Sequence, residues 1–288
     1  MSILGAALGD LVPTLALLAL VGAGAGFSSG LFGIGGGAVM VPALFFAFRA
    51  LGVGADVVMH CAVATSSTVI IFNGWRSTRA HLARGSVDMA LLWPPSQGGP
   101  WWGGYALWIA LGSFGAASLL APRLSSDALT AVFAGVALLV AVQFIAGRPD
   151  LTLRDAVPGG AAPPLVGGGI GALSAIMGIG GGSLSVPFLT LCGMPVHRAV
   201  GTAAGFGLAI AVPATLGFVI SGWGEAGRPP GSLGYVNLLG AAFIVACAWG
   251  FVPLGARAAH GLRPGPLRRV FGLALAVVAL NMARIALL

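Results

Sequence analysis

Residues Gly26–Pro42 read GFSSGLFGIGGGAVMVP, and residues Gly171–Pro187 read GALSAIMGIGGGSLSVP. Both hold Gly-Ile-Gly-Gly-Gly, a short apolar run and then Val-Pro, and Gly178 follows Gly33 by 145 residues in a chain of 288. A copy half a chain later is the mark of an internal duplication. Each copy lies inside an apolar stretch. A glycine run breaks a helix, because no side chain restricts the backbone. In hydrocarbon such a break leaves N–H and C=O groups unpaired unless protein or a polar cavity covers them. Two breaks at matched places therefore mark a candidate site.

The surrounding composition sets the solvent. The chain is 58% hydrophobic and only 7% charged, with a mean hydropathy of +1.00. A soluble domain needs roughly a quarter of its residues charged, so the expected class is an all-α polytopic integral membrane protein. All 14 basic residues are arginine, which removes Schiff-base lysine and P-loop chemistry. The net charge of +7 is read as arginine at helix ends on the cytoplasmic side, not as a nucleic-acid surface. Cys61, Cys192 and Cys247 are scattered in apolar context, with no pairing that indicates a disulfide framework or a zinc site. Leu11–Phe27 has no basic region before it and reads as a retained membrane helix rather than a cleaved leader.

Ten apolar segments can be drawn. The first repeat, residues 1–150, holds Leu11–Phe32, Ala38–Leu51, Val57–Trp75, Trp101–Leu120 and Ala128–Ala146. The charged linker Gly147–Gly160 follows. The second repeat, residues 151–288, holds Pro163–Met177, Ser183–Cys192, Ala199–Ile220, Val236–Ala256 and Leu267–Leu287. Ala38–Leu51 and Ser183–Cys192 are short of the ~20 residues of a full span and read as half-helices or re-entrant pieces, so eight to ten helical segments are expected. The duplication extends beyond the glycines: Met59–Thr65 (MHCAVAT) aligns with Val196–Thr202 (VHRAVGT), now at an offset of 137.

Loop charges orient the halves. Arg76, Arg79, His81 and Arg84 follow the third segment of the first repeat, whereas the matching loop Ser221–Leu233 has only Arg228, beside Glu225. The next loop reverses this, with Arg123 in the first repeat and Arg257, His260, Arg263, Arg268 and Arg269 in the second. If positive loops face the cytoplasm, equivalent loops lie on opposite sides. The repeats are then inverted, an architecture of secondary transporters with substrate near the midplane.

The candidate substrate-binding residues follow from this layout. Gly35, Gly36 and Gly37 precede Ala38, and Gly180, Gly181 and Gly182 precede Ser183. Each run opens a helical piece whose free N–H groups and partial positive charge attract an anion without a cationic side chain. The competing reading is tight helix crossing through small residues. Thr65, Ser66 and Asn73 in the third segment, and Thr202 in its partner, supply further polar groups, or serve as helix–helix glue. His60 and His197 hold equivalent places, Arg198 follows the second, and the three are candidates for proton or substrate coupling. Neither a metal cluster nor a catalytic grouping can be assembled, so no cofactor and no enzymatic activity are expected. Trp93–Tyr105 (WPPSQGGPWWGGY) has no counterpart in the second half. Its Trp101, Trp102 and Tyr105 read as interfacial anchors, or as part of an oligomer contact, with which a homodimer is compatible.

At these residues the chain resembles the TauE/SafE family of sulfite-exporter-like membrane transporters. The resemblance rests on Gly33–Gly37 through Val41-Pro42, Gly178–Gly182 through Val186-Pro187, Ala62–Ser66, Ala199–Thr202 and Gly85–Asp88. It implies export of a small sulfur-containing anion, such as sulfite, sulfoacetate or another organosulfonate, across a plasma or bacterial inner membrane. The partners implied are that anion and the lipid bilayer. An anion channel, or a membrane assembly subunit without transport of its own, is the alternative.

Overall fold

The computed structural model describes residues 16, 19–30, 36–94, 99–146, 152–261 and 264–287, without the side chains of 256–261 and 264–268. Gly33, Ile34 and Gly35 of the first glycine run lie outside the described residues, as do residues 95–98 and the linker residues 147–151.

The described residues are mostly helical. In order come α1 (19–30), α2 (Gly37–Ala50), α3 (Val58–Leu82), the single turn α4 (Met89–Leu92), α5 (Tyr105–Gly115) and α6 (Ser126–Ala146). The second half gives α7 (Gly168–Met177), α8 (Gly182–Leu191), α9 (Val196–Ser221), α10 (Leu238–Gly261) and α11 (Pro264–Leu287). A π-helical segment, Ala116–Leu120, carries α5 on to Arg123, and another, Pro163–Gly167, leads into α7. A two-residue hairpin, β1 (Ser232–Leu233) with β2 (Val236–Asn237), precedes α10.

Five helices among the described residues are long and apolar enough to cross a bilayer: Tyr105–Arg123, Ser126–Ala146, Val196–Ser221, Leu238–Gly255 and Arg269–Leu287. The chain is thus a multi-pass membrane protein. The helices after the glycine runs are short, 14 residues in α2 and 10 in α8. At 1.5 Å per residue neither reaches across the ~30 Å hydrocarbon core. The third segment is longer than hydropathy alone suggests. It runs on to Leu82 through Arg76 and Arg79, because Arg76 lies over the Trp249 ring at 4.0 Å and donates to the Trp249 carbonyl. That neighbour satisfies the cation and lets the helix continue.

Helices from the two halves are interleaved. α3 packs against α9, α6 against α11, and α5 against α7. α1 lies against α10, where a side chain at Gly26 would come within 2.6 Å of the Ala248 carbonyl oxygen. Its sequence equivalent, Gly171 on α7, sits equally close to α5, its own missing Cβ 2.1 Å from the Ile109 carbonyl. The same glycine thus permits the same crossing in both halves, between a first segment and the fourth segment of the other half. α9 is among the most enclosed elements, with 56% of its apolar span buried against 22% for the α11 span, so α11 keeps most of its apolar surface on the outside of the bundle.

Candidate functional site

The second glycine run forms a sharp break. α7 ends at Gly178, whose φ of +60° is a left-handed conformation that side chains disfavour. α8 starts four residues later with Gly181 as its N-cap residue. A side chain at Gly181 would lie 2.7 Å from both the Ala203 carbonyl oxygen and the Gly207 nitrogen of α9, so the helix end is pressed against α9. α2 begins after its own N-cap glycine, Gly36, which is left-handed at φ +78° where the equivalent Gly181 is right-handed at φ −54°. The two runs touch: a Cβ on Gly37 would be 2.4 Å from the Gly178 carbonyl oxygen. The duplicated breaks therefore share one place in the protein, and Ala38 is buried beside it.

A crevice with room for about one water molecule opens at this place. Ser29 of α1, Ile70, Gly74 and Ser77 of α3, Gly180 and Gly181, and Ala203, Ala204 and Gly207 of α9 line it. Ser29 is 1% exposed and its hydroxyl has no hydrogen-bond partner among the described residues. The same holds for its sequence equivalent Ser174, for Ser183 and Ser185 on the first turn of α8, and for the Asn73 amide nitrogen. A buried polar group without a partner costs about 1–3 kcal/mol, so several of them around one helix break are unusual.

Other expected polar residues are already engaged. Ser66 donates from Oγ to the Gly178 carbonyl at 2.8 Å, pinning the break to α3. Thr65 Oγ1 accepts from the Asn237 backbone N–H at 3.0 Å. Thr202 Oγ1, its sequence equivalent, accepts from the Asp88 N–H at 2.9 Å. Asp88 and Asn237 each cap a helix, accepting from the N–H of Ala90 and of Gly240 respectively. The segments Gly85–Asp88 (GSVD) and Gly234–Asn237 (GYVN) are thus a third duplicated motif, 149 residues apart, with both leading glycines at positive φ. The sequence carried this signal, but it is only four residues long.

The two histidines part company. His60 is 4% exposed, hydrogen-bonds through Nε2 to the Ala121 carbonyl at 3.1 Å and stacks on Tyr235 with ring centroids 5.0 Å apart. Burial, with Glu225 nearby, raises the Tyr235 phenol above its ordinary range, so it stacks as a neutral ring. His197 is exposed. Arg198 next to it pairs with Asp88 at 3.0 Å at the protein surface, and neither residue lines the crevice. In the Trp93–Tyr105 stretch, Trp101 and Trp102 are more than half exposed. Tyr105 corrects the expectation of an interfacial anchor. It is 1% exposed, flanked by Phe188 and Phe206, and donates to the Pro158 carbonyl at 2.7 Å.

Comparison with known proteins agrees with this architecture. The chain is 34% identical over 272 residues to a "Probable membrane transporter protein" of Haemophilus influenzae, covering 92% of this chain and 97% of that protein. It is 30% identical over 254 residues to the "Probable membrane transporter protein YunE" of Bacillus subtilis, covering 83% and 86%. No solved structure matches it. The model of the family described as "Sulfite exporter TauE/SafE" matches residues 18–282, so a duplicated, broken-helix membrane bundle with this coverage belongs to the TauE/SafE family and is a membrane transporter.

Proposed function

We propose that the protein is a secondary transporter that exports a small sulfur-containing anion, such as sulfite, sulfoacetate or another organosulfonate, across a bacterial inner membrane by alternating access. The observation that carries this reading is the cluster of buried, unpartnered hydroxyls around the paired helix breaks. Helix N-termini supply N–H donors and partial positive charge, and hydroxyls complete the set an oxyanion needs. The matched helix crossings and the reversed arginine pattern of the loops support two inverted repeats, 1–150 and 151–288, with α2 and α8 as re-entrant pieces. Such repeats rock against each other about a site at their interface. A membrane potential negative inside favours anion efflux by about 2.3 kcal/mol per charge per 100 mV. Any proton coupling falls to His60, whose Nδ1 is buried and unpartnered, rather than to exposed His197.

The test is efflux from proteoliposomes loaded in turn with sulfite, sulfoacetate and methanesulfonate. Saturable, counterflow-competent efflux of one sulfur anion, lost in Gly181→Leu protein that still inserts and folds, is the expected result. Non-saturable flux would indicate a channel instead, and no flux of any anion from folded protein would remove the transporter reading.

A further inference from the structure

The crevice beside α8 has a charge character that bears on the substrate. Among the described residues its lining is Ser29, Ser77, glycine, alanine and Ile70, with no charged side chain. The elements that form it are equally bare. α8 (GSLSVPFLTL) holds no ionisable residue, and neither does α9 beyond His197 and Arg198 at its outer end. On α3, Arg76 is the ionisable group nearest in sequence to the lining residue Ser77, and it is committed to the Trp249 ring and carbonyl. What lines the space is therefore Gly180 and the N-cap residue Gly181, at the end of α8 whose first-turn N–H groups lack intrahelical partners, and Ser29, whose hydroxyl is unpartnered in a side chain 1% exposed. Ser183, the second residue of α8, adds another unpartnered hydroxyl at that end, 2% exposed.

We infer that this crevice holds one oxygen atom of a monoanion and rejects dianions, with Ser29 as the specificity-determining residue. The inference rests on the anion-transport reading above and narrows it to singly charged species such as bisulfite or a simple sulfonate, setting aside sulfoacetate, which carries two charges at neutral pH. Its physical basis is a difference in scaling. The cost of taking an ion out of water rises with the square of its charge, so a dianion pays roughly four times what a monoanion pays. Attraction to the fixed half-charge of a helix end rises only in proportion to the charge. With no arginine or lysine to make up the difference, a single charge is the one this place can stabilise. The space admits one oxygen, so a sulfonate would enter head first with the remainder of the molecule between the two halves.

Methanesulfonate and sulfate separate the alternatives, because both are tetrahedral sulfur oxyanions and they differ by one charge. Each is titrated into the full-length protein in lipid nanodiscs by calorimetry. Methanesulfonate is expected to bind more than about tenfold tighter than sulfate. Ser29→Ala should weaken methanesulfonate about tenfold, while Ser67→Ala, a comparably buried hydroxyl already paired with the Val63 carbonyl and not lining the crevice, should leave it unchanged. Sulfate binding as tightly as methanesulfonate, or a folded Ser29→Ala protein with unaltered affinity, would overturn the inference and leave transport standing. Should Ser29→Ala fail to fold, the charge preference of the unmodified protein decides alone. Neither anion binding, together with no efflux from proteoliposomes, would remove the transport reading itself.

Discussion

The two halves of the molecule solve one problem with different side chains. In each, a threonine on the third segment accepts the backbone N–H of a residue of the other half that caps the helix after it, α10 for Asn237 and the single turn α4 for Asp88. The second-half cap, Asn237, is buried, and its amide also donates to the Pro230 carbonyl and the Ser232 hydroxyl. A carboxylate has no hydrogen to offer those two oxygens. The first-half cap, Asp88, lies near the surface and meets Arg198 instead. Asparagine and aspartate at these equivalent places thus follow from what surrounds them, a buried pair of acceptors in one case and an exposed cation in the other. Duplication kept the backbone contact, and burial chose the side chain.

This contrast can be broken in graded steps. Asn237→Asp places a charge among acceptors and should cost about 3–5 kcal/mol, seen as a large drop in the thermal midpoint of the detergent-solubilised protein. A near-neutral result would mean that the Asn237 amide contacts are dispensable. His60→Ala should cost about 2–3 kcal/mol through a cavity and a lost hydrogen bond. His197→Ala, at the equivalent but exposed position, should stay within about 0.5 kcal/mol. Equal effects would abolish the distinction between the histidines. Thr65→Val leaves the Asn237 N–H unpaired in the interior and should cost about 1–2 kcal/mol. Thr202→Val should cost less, since the half-buried Asp88 N–H has water within reach. The smallest change belongs to Asp88→Asn, which makes the first cap resemble the second. It retains the cap and loses an exposed ion pair worth at most about 1 kcal/mol, and added salt should shrink the difference from the unmodified protein.

The glycine-run comparison sharpens in the same way. The first run contributes Gly37 to the contact between the breaks and Gly36 to a contact with Ala25 of α1, whereas Gly180 and Gly181 of the second line the crevice together with Ser29 from the first half. Symmetry of sequence therefore does not make a symmetric lining. Ser29 was legible only as the partner of Ser174 within the duplicated stretch, since a lone serine in an apolar segment says nothing of its burial. Thr65 and Thr202 were legible as polar groups on the third helices, but their partners stand 172 and 114 residues away.

By itself the sequence determined that this is a multi-pass helical membrane protein, where its helices start and stop to within a few residues in most cases, and that it is built from a duplicated unit with glycine breaks. These are local properties: hydropathy over about 20 residues, the conformational freedom of glycine, and identity between two stretches of the same chain. Only the tertiary structure decided that α3 runs on through its arginines, that Tyr105 is buried while Trp101 is exposed, that His60 and His197 differ, and that Ser29 meets the second glycine run. Each of these depends on which distant group lies opposite, and burial and hydrogen-bond satisfaction belong to the pair of surfaces rather than to either stretch alone.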